Sequence, residues 1–154
     1  MDDRQFRNAM GKFATGVTVV ATQVDGKMHG MTANAFMSVS LNPKLVVVSI
    51  AEKAHMLEKM KQSKSFSVNI LAADQQELSM IFAGQLKEHR EVHFDWLGGV
   101  PVLNGSLAQI TCEVSAAHVE GDHTLFIGRV KEINIEDYEP LIYFSGRYRK
   151  LTEE

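Results

Sequence analysis

The spacing of apolar side chains changes along the chain, and each change predicts an element. Over residues 2–13 the apolar positions recur three and four apart. Phe6, Ala9, Met10 and Phe13 share one face and Asp2 or Asp3 can cap the start, so this stretch predicts a helix. Thr15 and Gly16 end it. Residues 17–24 are rich in β-branched side chains, and Asp25-Gly26 is a two-residue hairpin signal, so a strand is predicted to turn there and return from Lys27 toward Ala35. Residues 45–50 (LVVVSI) form a short apolar run of the kind found in buried strands. A second helix is predicted over residues 51–62, with Met56, Leu57 and Met60 inward, and a strand over residues 66–71. Asp74 can cap a third helix that runs through Leu78, Ile81 and Phe82 to a stop at Gly84. Residues 85–99 are charged, then glycine-rich, and read as a long loop. Strands over residues 107–119, 124–135 and 141–144 complete the pattern. Roughly seven strands with short helices and dominant hairpin signals predict a mainly β, antiparallel barrel with helices at its ends, not a doubly wound sheet.

Composition narrows this picture. A chain of 154 residues, 45% hydrophobic and 23% charged, fits one globular domain over residues 1–154. The formal net charge of −3 does not favour nucleic acid, which binds basic faces. Cys112 is the only cysteine, which excludes an intrachain disulfide and fits a reducing cytoplasm. The acidic start has no apolar run behind it, and no segment is long and apolar enough to span a bilayer, so a cytoplasmic location without membrane partners is expected.

Several motifs are absent or misleading. No Gly-x-Gly-x-x-Gly follows a strand, so no dinucleotide fold is signalled. Residues 11–16 have the spacing that opens a phosphate loop, but Val17 stands where its lysine belongs, and a helix end followed by a strand is the better reading. His89 and His93 lie four apart, yet Glu91 between them is wrongly placed for a zinc protease and no third ligand is evident, so no metal is expected. Asn104-Gly105-Ser106 is a glycosylation sequon by pattern alone. Cys112, mid-strand, reads as an inert core thiol.

The segment from Gly30 to Ser40 (GMTANAFMSVS) is dense in small, hydroxyl and amide side chains, yet it joins two strong strands. In an extended chain Thr32, Asn34, Ser38 and Ser40 would fall on one face and offer donors and acceptors to a flat ligand. From spacing alone, a polar edge strand without a ligand is the simpler reading.

Ordered motifs give this segment a context. Residues 6–20 (FRNAMGKFATGVTVV), 30–43 (GMTANAFMSVSLNP), 66–70 (FSVNI) and 121–128 (GDHTLFIG) resemble the short-chain flavin reductases, the small reductase components of two-component flavin monooxygenases such as the phenol and 4-hydroxyphenylacetate hydroxylase systems. The resemblance runs over nearly the whole chain. It implies a Greek-key split β-barrel, a homodimer with flavin near the subunit interface, and hydride transfer from NADH to FAD or FMN for a separate aromatic-hydroxylating oxygenase. It also implies site residues. Thr32, Ala33, Asn34, Ala35, Ser38 and Ser40 would line the ring and ribityl groove. Ser49, Ile50, Ala51, Lys53, Ala54 and His55 would form the phosphate turn, where free N–H groups at a helix start attract anions. Phe82, Ala83 and Gly84 would approach the flavin after their helix. His123 would position the nicotinamide, with Tyr148 and Arg149 holding the rest of the pyridine nucleotide. The competing class is a split barrel that binds flavin or haem without nicotinamide chemistry.

Overall fold

The computed structural model describes residues 1–86 and 92–152. The first helix, α1 (Asp3–Gly11), is capped by Asp2, whose carboxylate accepts the Gln5 amide at 2.7 Å. It ends two residues before Phe13, and none of its residues is buried. The apolar face that these residues share is uncovered, with Phe6 53% and Met10 57% exposed.

Strand β1 (Thr15–Gly16) leads to the hairpin of β2 (Thr18–Val24) and β3 (Lys27–Ala33). Asp25 and Gly26 turn it with φ of 52° and 76°, the left-handed pair that a tight hairpin requires. After Asn34 and Ala35 come β4 (Phe36–Leu41) and β5 (Lys44–Ala51), then α2 (His55–Ser63) and β6 (Ser65–Ile70). A 3-10 turn at Ala73–Gln75 precedes α3 (Gln76–Phe82). The chain continues through β7 (Asp95–Leu97), β8 (Val100–Val102), β9 (Ala108–Glu120), β10 (His123–Ile135), β11 (Ile142–Phe144) and β12 (Arg147–Arg149).

Seven of these strands form one antiparallel sheet in the order β3-β2-β6-β9-β10-β5-β4, beside a small sheet of β1, β11 and β12 and the β7–β8 hairpin. Strands β3 and β4 are neighbours in sequence but occupy opposite edges of the large sheet. Only Asn34 and Ala35 separate them, and so short a link spans about 10 Å at full stretch. The sheet must therefore curl until its two edges nearly meet, which gives a split-barrel-like topology. Both sides of the link are pinned. Thr18 Oγ1 donates to the Ala33 carbonyl at 2.6 Å, and the Ser49 amide donates to the Ala35 carbonyl at 3.1 Å.

Strand β2 buries both faces by alternation. Val20 faces a cluster with Val48, Ile50, Phe66 and Phe126, to which α2 adds Met56, Leu57 and Met60. Val19 joins the opposite cluster with Leu71, Leu103 and Leu141. Gly128 is required by this packing, since a Cβ there would lie 2.6 Å from Phe66 Cζ and 2.9 Å from Cys112 Cβ. Burial pushes the Cys112 thiol up to about 12, so it is an inert core group as expected.

Three expectations need correction. Helix α2 starts at His55, four residues late, because Ala51 still pairs with His123 and the Glu52 amide donates to the Asp122 carbonyl at 2.9 Å. Asp74 is exposed and does not cap the third helix. Instead Gln75 Oε1 accepts the Ala72 amide at 2.8 Å. The stretch 85–99 is not all loop, because Gly98 and Gly99, with φ of 57° and 79°, turn β7 onto β8. His89 and Glu91 of the possible metal pattern lie outside the described residues, and His93 meets Asp95 at 3.2 Å.

Asn69, fully buried on β6, ties the β8 side of the fold to the sheet. Its Nδ2 donates to the Val19 carbonyl and to Ser67 Oγ, and its Oδ1 accepts the Leu103 amide at 2.9 Å. Replacing it by alanine leaves the Leu103 amide buried without its partner and removes the tie to the Val19 carbonyl. Asn69→Ala is expected to lower stability by roughly 3 kcal/mol, read as a lower urea midpoint with an unchanged slope. A midpoint equal to that of the parent would show the network to be dispensable.

Candidate functional site

The seam where the barrel edges approach carries three cavities. The largest, about 680 Å³, is lined by Thr18, Asn34, Ala35, Phe36, Ser49 and Leu125, among others. A second, about 660 Å³, lies against α1 and includes Arg7, Lys12, Phe13, Thr15 and Tyr143. A third of about 170 Å³ lies between β3 and α3, with Thr32, Ala33, Ser79, Ala83 and Tyr148. Asn34 lines all three. It does so because it belongs to neither strand, and at the elbow between them its side chain is exposed.

The structure divides the expected site residues. Ala33, Asn34, Ala35 and Ser49 meet at the seam. Thr32 also reaches a cavity wall, but its hydroxyl is committed: Oγ1 donates to the Ser79 carbonyl at 2.6 Å. Ser38 and Ser40 do not share a face with Thr32. They sit on the opposite edge strand, with a register shift between them, and line none of these cavities. The single extended segment expected from alternation is broken at Asn34-Ala35. Ile50 is fully buried in the barrel core and lines none of these cavities.

Phe82 is a packing residue. Its ring stacks against Phe94 at 5.9 Å between centroids, and a Cβ on Gly30 would come within 2.7 Å of it. Gly30 is thus small to admit Phe82. Ala83 does line the smallest cavity, and Gly84, with φ of 73°, ends the helix as predicted.

Residues 51–55 cross from β5 to α2. Ala54 stands at the helix start without a side-chain cap, so no side chain of the cap meets the His55 and Met56 amides, which suits an anion, while the Leu57 amide donates to the Ala54 carbonyl at 3.1 Å. Lys53 is exposed, and His55 leans on His29 of β3 with ring centroids 5.5 Å apart. Partial burial first, then Lys59, His55 and Lys27, hold the His29 pKa below its ordinary value.

His123 opens β10 opposite Ala51, beside this turn. Its Nδ1 lies 2.8 Å from Asp122 Oδ1, and that hydrogen bond is the main reason the Asp122 carboxyl lies below the usual carboxylate range. His123 lines none of the three cavities, although Leu125, two residues along the strand, lines the largest.

Tyr148 stacks edge-on to Tyr143 at 5.3 Å, and its hydroxyl meets Ser79 Oγ at 2.7 Å. Arg149 lies over the Phe144 ring at 5.5 Å from the centroid, with Lys12 on the same ring at 5.9 Å. Arg7 and Lys12 give the α1 cavity a basic edge that would suit phosphate.

Sequence reasoning singled out neither Thr15 nor Ser79. The buried Ser79 Oγ has no periodic signal. Thr15 lies inside one of the recognised motifs, yet it reads there as a helix end. Its Oγ1 is buried without a hydrogen-bond partner. An apolar wall, the Asn34 amide, an unmatched Thr15 hydroxyl and open amides at α2 form a donor and acceptor set that fits a flavin: a flat ring with a polar edge and a phosphate tail.

Comparison with known proteins agrees with that chemistry. The flavin reductase like domain family matches residues 10–152. The chain is 46% identical over 148 residues to an NADH-dependent flavin reductase of a Rhodococcus species, covering 94% of this chain and 84% of that protein. It is 37% identical over 152 residues to the reductase component of 4-hydroxyphenylacetate 3-monooxygenase of Thermus thermophilus, covering 96% and 95%. The solved structure of flavin reductase PheA2 in its native state superposes with a TM-score of 0.98 at 63% identity, covering 99% of this chain and all of that one. Matched along nearly its whole length in sequence and in fold, the chain belongs to the flavin reductase-like family.

Proposed function

We propose that the chain, as a single domain over residues 1–154, is an NADH-dependent flavin reductase that supplies reduced FAD or FMN to a separate monooxygenase. Asn34, at the one point shared by all three seam cavities, is the observation that carries this reading. Bound flavin supplies the acceptor for a hydride from nicotinamide C4 to flavin N5. The chain's part is to bind and orient. Asn34 and Ser49 meet polar atoms at the seam, while Ala33, Ala35 and Leu125 form apolar wall and exclude water. Open amides at α2, with Lys53 beside them, suit the flavin phosphate.

His123 is the positioning residue for the nicotinamide. The ionised Asp122 accepts from its Nδ1, which fixes the tautomer and leaves Nε2 as an acceptor for an amide N–H. Tyr148 acts from the wall of the smallest cavity, braced by Ser79. Arg149 reaches phosphate by leaving the Phe144 ring. The uncovered apolar face of α1, continued by Phe13 and Met37 at the seam, supports a homodimer in which a second copy covers it. The relative that serves 4-hydroxyphenylacetate 3-monooxygenase supports an aromatic-hydroxylating oxygenase as the recipient of reduced flavin.

Purified protein is expected to oxidise NADH only when FAD or FMN is added. A folded protein without flavin-dependent turnover would overturn the reading, and binding of flavin alone would favour a non-enzymatic module. Asp122→Asn frees the His123 tautomer and is expected to raise KM for NADH by about tenfold, one hydrogen bond's worth, while flavin affinity stays unchanged. An unchanged KM would remove His123 from the nicotinamide site. Sedimentation equilibrium is expected to give twice the chain mass of 17.2 kDa, and a monomer at all concentrations would sink the dimer.

A further inference from the structure

Thr18, Thr22 and Thr32 each donate a hydroxyl to a backbone carbonyl at 2.6 Å, from Ala33, Ser65 and Ser79 respectively. That is the usual fate of a threonine in a sheet, because an enclosed hydroxyl without a partner has lost its water and gained nothing. Thr15 departs from this pattern. It lies on β1 opposite Tyr143, its hydroxyl is closed off from solvent, and among the described residues no group accepts from it or donates to it. The residue itself is half-exposed. Among the described residues it is one of three, with Phe13 and Asn34, that line both large cavities. Thr15 therefore stands at the wall where those cavities join, with its hydroxyl turned inward, and one step between staggered χ1 wells carries the hydroxyl to another face of the side chain.

We infer that Thr15 is a positioning residue for the flavin, whose hydroxyl donates to an acceptor atom of the bound molecule where the two large cavities meet. The inference rests on the proposed flavin site and adds to it a group that the sequence did not mark. A hydroxyl kept unmatched in the free protein is matched only on binding, so it adds to flavin affinity without adding to the stability of the free fold. This predicts opposite signs for the two measurements.

The test compares Thr15→Val, which keeps the shape and removes the hydroxyl, with Thr15→Ser, which keeps the hydroxyl. Flavin dissociation constants are measured by quenching of flavin fluorescence, without NADH. Melting temperature and sedimentation are measured on the flavin-free proteins. The expected result for Thr15→Val is a flavin Kd weakened by about tenfold, a melting temperature equal to or above that of the parent, and the parent's oligomeric state. Thr15→Ser is expected to bind flavin as the parent does. Equal Kd values for Thr15→Val and the parent would overturn the inference. So would a serine variant as weak as the valine one, a clear drop in the melting temperature of Thr15→Val, or a loss of affinity that tracks a change in oligomeric state. A parent protein that binds no flavin at all would refute the proposed function itself, which separates the two failures.

Discussion

Two residues bring the edges of the sheet together. Asn34 and Ala35 carry the chain from β3, on one edge of the seven-stranded sheet, to β4 on the other. Because so short a link cannot span an open sheet of that width, the sheet has to curl, and the large cavities form along the line where its edges approach. The core follows from the same curl. Val20, Val48, Phe66 and Phe126 face one another only because the strands that bear them wrap round a common interior. The elbow is held by two backbone carbonyls, Ala33 to Thr18 and Ala35 to Ser49, so the link that shapes the barrel also fixes Asn34 at the site.

Polar groups near the seam fall into two sorts. Thr18, Thr32, Ser79 and Tyr148 are bonded within the chain and hold walls in place. Asn34 is exposed and Thr15 is unmatched. A wall whose braces are satisfied internally keeps its shape when a ligand arrives, and this limits the ordering cost of binding. Charge is distributed with similar economy. Lys12 and Arg149 rest on the Phe144 ring near the α1 cavity, and Lys53 stands by the start of α2, although the chain as a whole carries a net charge of −3.

Much of this was legible from local patterns. The Asp25-Gly26 hairpin, the Gly84 stop, and the inward Met56, Leu57 and Met60 each depend on residues close in sequence, and each appears where the pattern placed it. What could not be read depends on distant partners. Alternation put Thr32 and Ser38 on one face, and it fails because the strand breaks at Asn34 and the second half pairs with β5. The fit of Phe82 against Gly30 could not be read either, because the two are far apart in sequence. The start of α2 was misplaced by four residues because its true limit is the pairing of Ala51 with His123, contributed by a strand some seventy positions away. The Gly98-Gly99 turn was visible in the sequence, and the charged stretch before it masked the signal. For the site, the family motifs carried what spacing could not, yet they left Thr15 unmarked, because an unsatisfied hydroxyl is a property of surroundings.

No backbone ladder joins β3 to β4, although they bound the same opening. Paired strands elsewhere in the sheet are held at the fixed spacing of their hydrogen bonds, about 4.8 Å. The gap between these two edges obeys no such spacing. Its width is set by the two-residue link and by the bonds that pin it at either end, from Thr18 to the Ala33 carbonyl and from Ser49 to the Ala35 carbonyl.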